Sequence, residues 1–80
     1  MTVVNLQYYA QLREQAGASS EQLHTAATSL QELYEELRTR HGFSLAAEAL
    51  KVAVNAQFSA WDRPLRDGDT IVFIPPVAGG

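Results

Sequence analysis

Thr28-Ser29-Leu30-Gln31-Glu32-Leu33-Tyr34-Glu35-Glu36-Leu37-Arg38-Thr39-Arg40-His41-Gly42 is the stretch that decides the fold. Leu30, Leu33, Tyr34 and Leu37 recur at i, i+3, i+4 and i+7, which puts them in one apolar stripe of an α-helix. Gln31, Glu32, Glu35 and Glu36 fall on the outward side and read as a solvated face. Thr28 or Ser29 can cap the helix, with Gln31 or Glu32 completing a capping box. Arg38, Arg40 and His41 lie in the last turn, where cations suit the dipole, and Gly42 follows as a stop. A helix with one apolar face needs one sheet face to cover it.

Outward from the helix, the chain supplies that sheet. Thr2 to Ala10 alternates, with Val4, Leu6 and Tyr8 on one face and Val3, Asn5, Gln7 and Tyr9 on the other, so it reads as a half-buried strand. Ala10 to Ala16 suits a short helix stopped by Gly17, and Ala18-Ser19-Ser20 a turn. Leu23, Thr25 and Ala27 fit a modest second strand paired back on the first. Phe43 to Leu50 is a connector, and Lys51 to Gln57 reads as one continuous third strand. Arg63-Pro64-Leu65 and Asp67-Gly68-Asp69 are turn signals. Thr70 to Ile74 is a β-branched and aromatic fourth strand, ended by Pro75-Pro76, which cannot donate to a ladder. The order ββαββ predicts an α+β fold of the β-grasp, ubiquitin-like class: a mixed sheet on one main helix, first and last strands adjacent.

Bulk properties narrow the function. Eighty residues make a single domain, 1–80, for which a flexible C-terminal tail over 75–80 is expected. There are no cysteines, so neither a disulfide nor a thiolate metal site can form. His24 and His41 are far apart and are expected to be ordinary surface residues, with no metal site. Trp61 and Leu65 read as core or rim packing rather than a ligand box. A net charge of −3 and a pI near 5.1 argue against a nucleic-acid binder. No apolar run suits a membrane span and no secretory signal is evident, so a cytoplasmic protein is expected. No serine–histidine dyad, P-loop or metal-ligand cluster points to an enzyme acting alone, and no bound cofactor is expected.

Three stretches carry a resemblance. They are Tyr8-Tyr9-Ala10-Gln11-Leu12-Arg13-Glu14, then Ala53-Val54-Asn55, then Pro64 to Gly80, which runs Pro-Leu-Arg-Asp-Gly-Asp-Thr-Ile-Val-Phe-Ile-Pro-Pro-Val-Ala-Gly-Gly. Together they resemble the small, sulfur-carrying subunits of molybdopterin synthase over almost the whole chain. The resemblance implies that Gly80 is the reactive residue and that Gly79, without a side chain, lets the tail thread a narrow channel. It implies an adenylating enzyme that spends ATP on Gly80, a sulfur donor that displaces AMP to leave a thiocarboxylate, and transfer of that sulfur to cyclic pyranopterin monophosphate. Six residues from Pro75 to Gly80 reach roughly 20 Å when extended, enough to enter a partner's active site.

The same resemblance implies a large subunit as partner, in a heterotetramer of two small and two large chains. By position, Tyr9, Arg13, Phe58 and Ile74 match residues that contact it, with Pro75, Pro76 and Val77 along the tail. On strand parity alone, Tyr9, Val72 and Ile74 point away from the helix, whereas Phe58 falls with the inward Val52 and Val54. A thiamine-pathway sulfur carrier, a ubiquitin-like protein modifier and an interaction-only β-grasp domain stay open as alternatives.

Overall fold

Alternation at the start of the chain becomes strand β1, Thr2–Tyr8, with Val4, Leu6 and Tyr8 buried. The computed structural model describes residues 1–76. Helix α1, Ala10–Ala16, closes at Gly17, whose φ of 77° is left-handed, and strand β2, Ser20–Thr25, returns antiparallel to β1. Helix α2, Leu30–His41, is capped by Ser29, whose Oγ accepts from the Glu32 N–H at 3.2 Å. The Glu32 carboxylate reaches back one residue beyond the cap, to the Thr28 N–H at 2.9 Å and Oγ1–H at 3.0 Å. Those bonds, the backbone one first, hold its carboxyl below the usual range. Gly42 ends the helix left-handed, as its position predicts.

A 3-10 turn, Ala47–Ala49, leads into strand β3, Lys51–Val54, then β4, Gln57–Ser59, and finally β5, Thr70–Ile74. The sheet order is β2-β1-β5-β3-β4, with β1 and β5 parallel neighbours. This is the expected β-grasp, with one strand more than the sequence reading supplied. Lys51 to Gln57 is not one strand. It folds at Asn55 and Ala56, both left-handed with φ of 52° and 72°. Two successive left-handed residues make the type I′ hairpin turn, for which Asn-Gly is the usual signal. Ala56 occupies the glycine position, so the signal is half missing.

The core lies between the inner sheet face and α2. Leu30, Leu33, Tyr34 and Leu37 are fully buried, against Val4, Leu6, Val52, Ile71 and Phe73. Tyr34 donates its O–H to the Leu45 carbonyl at 2.7 Å, and burial raises its phenol pKa. Trp61 and Leu65 pack against the rim of this core as expected, and Trp61 stacks on Phe73. His41 corrects the surface reading. It is half-buried, with Nε2 3.0 Å from the Glu21 carboxylate and its ring edge-on to Tyr8. The twelve-residue length of α2 carries its last turn back over the start of β2, where Glu21 lies on the inner face opposite Leu6. His24 is exposed on the outer face. No helix among the described residues is long and apolar enough to cross a membrane.

Candidate functional site

Strand register arranges the outer face. Gln7, Val72, Ala53 and Phe58 lie side by side across β1, β5, β3 and β4, and Lys51 pairs with Ile74. Phe58 is 73% exposed, which corrects its inward parity. Parity counted along one strand from Val54 fails because the hairpin at Asn55-Ala56 reverses the chain. Phe58 then lands opposite Ala53, whose parity is outward. Ala53, flanked by Val72 and Phe58, is buried yet lies outside the core cluster. The hairpin therefore gives an exposed sheet face an apolar row.

Tyr9 follows the last ladder residue of β1 and is 52% exposed. Tyr8 pairs with Phe73, so Tyr9 and Ile74 are the next residues on two neighbouring strand paths. The Tyr9 carbonyl accepts from the N–H groups of Leu12 at 3.1 Å and Arg13 at 3.4 Å, which opens α1. Ala10 turns the chain with a left-handed φ of 51°, and buried Leu12 pins the helix to the core. Arg13 is exposed in the middle of α1. Gln11 and Gln15 tie the same helix to Ser44, donating to its Oγ at 2.7 Å and 3.0 Å.

Pro75 and Pro76 leave β5 without joining a ladder. They form a ridge between two grooves, one walled by Ala10, Gln11, Glu14 and Gln15, the other by Glu48, Leu50, Lys51 and Ile74. Of the residues expected to act, Tyr9, Ile74, Pro75 and Pro76 thus gather at the root of the tail. Phe58 lies further along the same face, across β3, and Arg13 stands on α1. Val77, Gly79 and Gly80 lie outside the described residues.

One feature of the strand that carries the tail went unread in the sequence. Asp69, nearly fully buried, accepts from Arg63 Nη1 at 2.9 Å, from the Arg66 N–H at 2.9 Å and from Asn55 Nδ2 at 3.0 Å. Asn55 Oδ1 in turn accepts from the Thr70 N–H at 3.0 Å, and Asp67 Oδ1 from the Val3 N–H at 2.7 Å. The clasp fixes β5 against β1 and β3 at its first residue. Burial alone pushes the Asp69 carboxyl up, but the bonds from Arg63, Arg66 and Asn55 outweigh it and hold the group below the usual range.

A folded-state pKa below the unfolded one stabilises the fold above the ordinary aspartate value of about 3.9. That contribution declines as pH falls below about 4 and is gone below the folded value. Asp69→Asn is expected to lower stability at neutral pH by roughly 1–3 kcal/mol, leaving donors poorly paired. It should also flatten the acid limb of a urea-denaturation series. An acid limb as steep as in the parent would assign the pH dependence elsewhere.

Among the described residues no group of three or more His, Cys, Asp or Glu could hold a metal ion. The fold and its tail root define a ubiquitin-like β-grasp domain. Residues 6–80 match the model of the ThiS family. The chain belongs to the ThiS family. It is 30% identical over 81 residues to the molybdopterin synthase sulfur carrier subunit of Escherichia coli K12, covering 98% of this chain and all of that one. Among solved structures it resembles a Pyrococcus furiosus protein described as molybdopterin converting factor, subunit 1. That match has a TM-score of 0.79 and 28% identity, covering 96% of this chain and 100% of the other. It also resembles a chain of the complex of subunits 1 and 2 of the Helicobacter pylori molybdopterin-converting factor. There the TM-score is 0.68 and the identity 25%, over 99% and 100% of the two chains.

Proposed function

We propose that this chain is the sulfur carrier of a molybdopterin synthase. The observation that carries the reading is the end-to-end match to a sulfur carrier subunit, with a family match that runs through Gly79-Gly80. On this reading the Gly80 α-carboxylate, with an ordinary pKa of about 3.3–3.7, is an anion at neutral pH. As an anion it is a poor acyl donor but can attack the α-phosphate of ATP. A separate activating enzyme forms the Gly80 acyl-adenylate and releases pyrophosphate. A sulfur donor then displaces AMP and leaves a thiocarboxylate.

The thiocarboxylate, still tethered, donates sulfur to cyclic pyranopterin monophosphate in a pocket supplied by the large subunit. Two transfers build the dithiolene of molybdopterin, so two loaded carriers serve each substrate, consistent with a heterotetramer. The fold supports this division of labour. The domain offers an apolar docking face and a proline ridge at the tail root, and Tyr9, Arg13, Phe58, Ile74, Pro75, Pro76 and Val77 form the partner contacts.

The test is the intact mass of the protein after incubation with ATP, an activating enzyme and a sulfide donor. A gain equal to one oxygen replaced by one sulfur is expected, and none in a chain lacking Gly80. No gain, with the enzyme active on another carrier, would leave an inert-tail interaction domain. A thiamine-pathway carrier would show the same gain. It is separated by the acceptor, because only the molybdopterin carrier loses its sulfur to the pterin when mixed with the large subunit.

A further inference from the structure

The outer face of the sheet has a charge pattern that the composition does not foretell. The chain carries nine acidic residues, yet among the described residues the one carboxylate on a strand, Glu21, lies on the inner face beside His41. Among the described residues, the single formal charge that a strand places on the outer face is Lys51, the chain's lone lysine. It is exposed and stands opposite Ile74 in register. It borders the groove beside Phe58 and Trp61 on one side and the groove beside Ile74 and Pro75 on the other. The ion pairs among the described residues are His41 with Glu21 and Arg63 with Asp69, and Lys51 belongs to neither.

We infer that Lys51 is a docking residue, and that the protein surface covering the outer face presents a carboxylate to it. The inference rests on the reading that this face docks. A partner that covers Ile74 and Phe58 must also cover the residue between them, and so takes water from the ammonium. A desolvated charge without a counter-charge costs several kcal/mol, which a contact built on a short apolar row does not absorb. A carboxylate within about 4 Å offsets that cost and fixes the docking register. Glu48 lines the same groove on the Pro75 side but forms no ion pair with Lys51, and the described strands of this face add no other acidic side chain, so the ammonium has its counter-charge still to take from a partner.

Calorimetric titration of the large subunit with Lys51→Gln and Lys51→Glu, at low and moderate salt, tests the pairing, with Ile74→Asp alongside. Lys51→Gln should weaken binding by roughly 30-fold or more. Lys51→Glu should weaken it further through like-charge repulsion, and both variants should keep the parent melting temperature. The parent's affinity should fall with salt more steeply than that of Lys51→Gln. Affinities within twofold of the parent for both lysine variants, while Ile74→Asp abolishes binding, would leave the docking face standing and overturn the ion pair. If Ile74→Asp also binds normally, the docking reading fails and the inference falls with it.

Discussion

Phe73→Ala is expected to remove about 3–5 kcal/mol of stability, while Phe58→Ala changes it by no more than about 0.5 kcal/mol. The two substitutions delete the same atoms, so the difference isolates the faces of the sheet. Phe73 is fully buried, with its ring centroid 5.1 Å from that of Tyr34 and 5.9 Å from that of Trp61. Its loss opens a cavity between Tyr34, whose fully buried ring is held by α2, and Trp61 at the core rim, and the Tyr34 side cannot collapse without moving the helix. Stability for a chain of this length is expected to total about 4–12 kcal/mol, so the variant would lose a large share of it. Phe58, 73% exposed on a three-residue edge strand, leaves no cavity behind. Urea denaturation followed by circular dichroism gives both values. A loss at Phe58 comparable to that at Phe73 would mean that the hairpin register is wrong and that this ring belongs to the core.

That contrast also marks how far the sequence could be read. The helix stripe was legible because four buried positions repeat at helical spacing with a serine cap before them and a glycine after them. The alternation of Val4, Leu6 and Tyr8 was legible for the same reason, and it placed Tyr9 correctly outside. Phe58 was not legible by parity, since parity holds only within one uninterrupted strand. The reversal at Asn55-Ala56 lacks the glycine that normally announces it. The burial of His41 is not legible because its partner, Glu21, is twenty residues away and meets it only through the crossing of α2 over β2. The Asp69 clasp is of the same kind. Asp67-Gly68-Asp69 announces a turn, but nothing local says that Asn55 will reach into it. Local period and capping chemistry are written in short windows, whereas polar contacts between distant segments depend on the finished topology.

Ile74→Asp is expected to weaken binding to the large subunit by at least about 100-fold, because the new carboxylate replaces an apolar contact, must be desolvated on docking and claims the neighbouring Lys51 from the partner's carboxylate. Ile74 is the last residue of β5, half-buried, on the outer face and directly before the proline ridge. A partner that receives the tail must pass over this side chain, since Pro75 and Pro76 continue from it. The fold itself should tolerate the change. The side chain is outside the core cluster, and its neighbour in register is Lys51, which can pair with the new carboxylate in the free protein. Loss of half-buried apolar area costs about 1 kcal/mol, a fall in melting temperature of roughly 4–8 °C for a domain of this size. Paired thermal melts and calorimetric titrations therefore separate docking from folding. Tyr9→Asp should behave in the same direction, because Tyr9 is the next residue on the neighbouring strand path. Should both variants bind as the parent does, the outer face would be solvent-facing in the complex. The tail alone, from Pro75 onward, would then carry recognition.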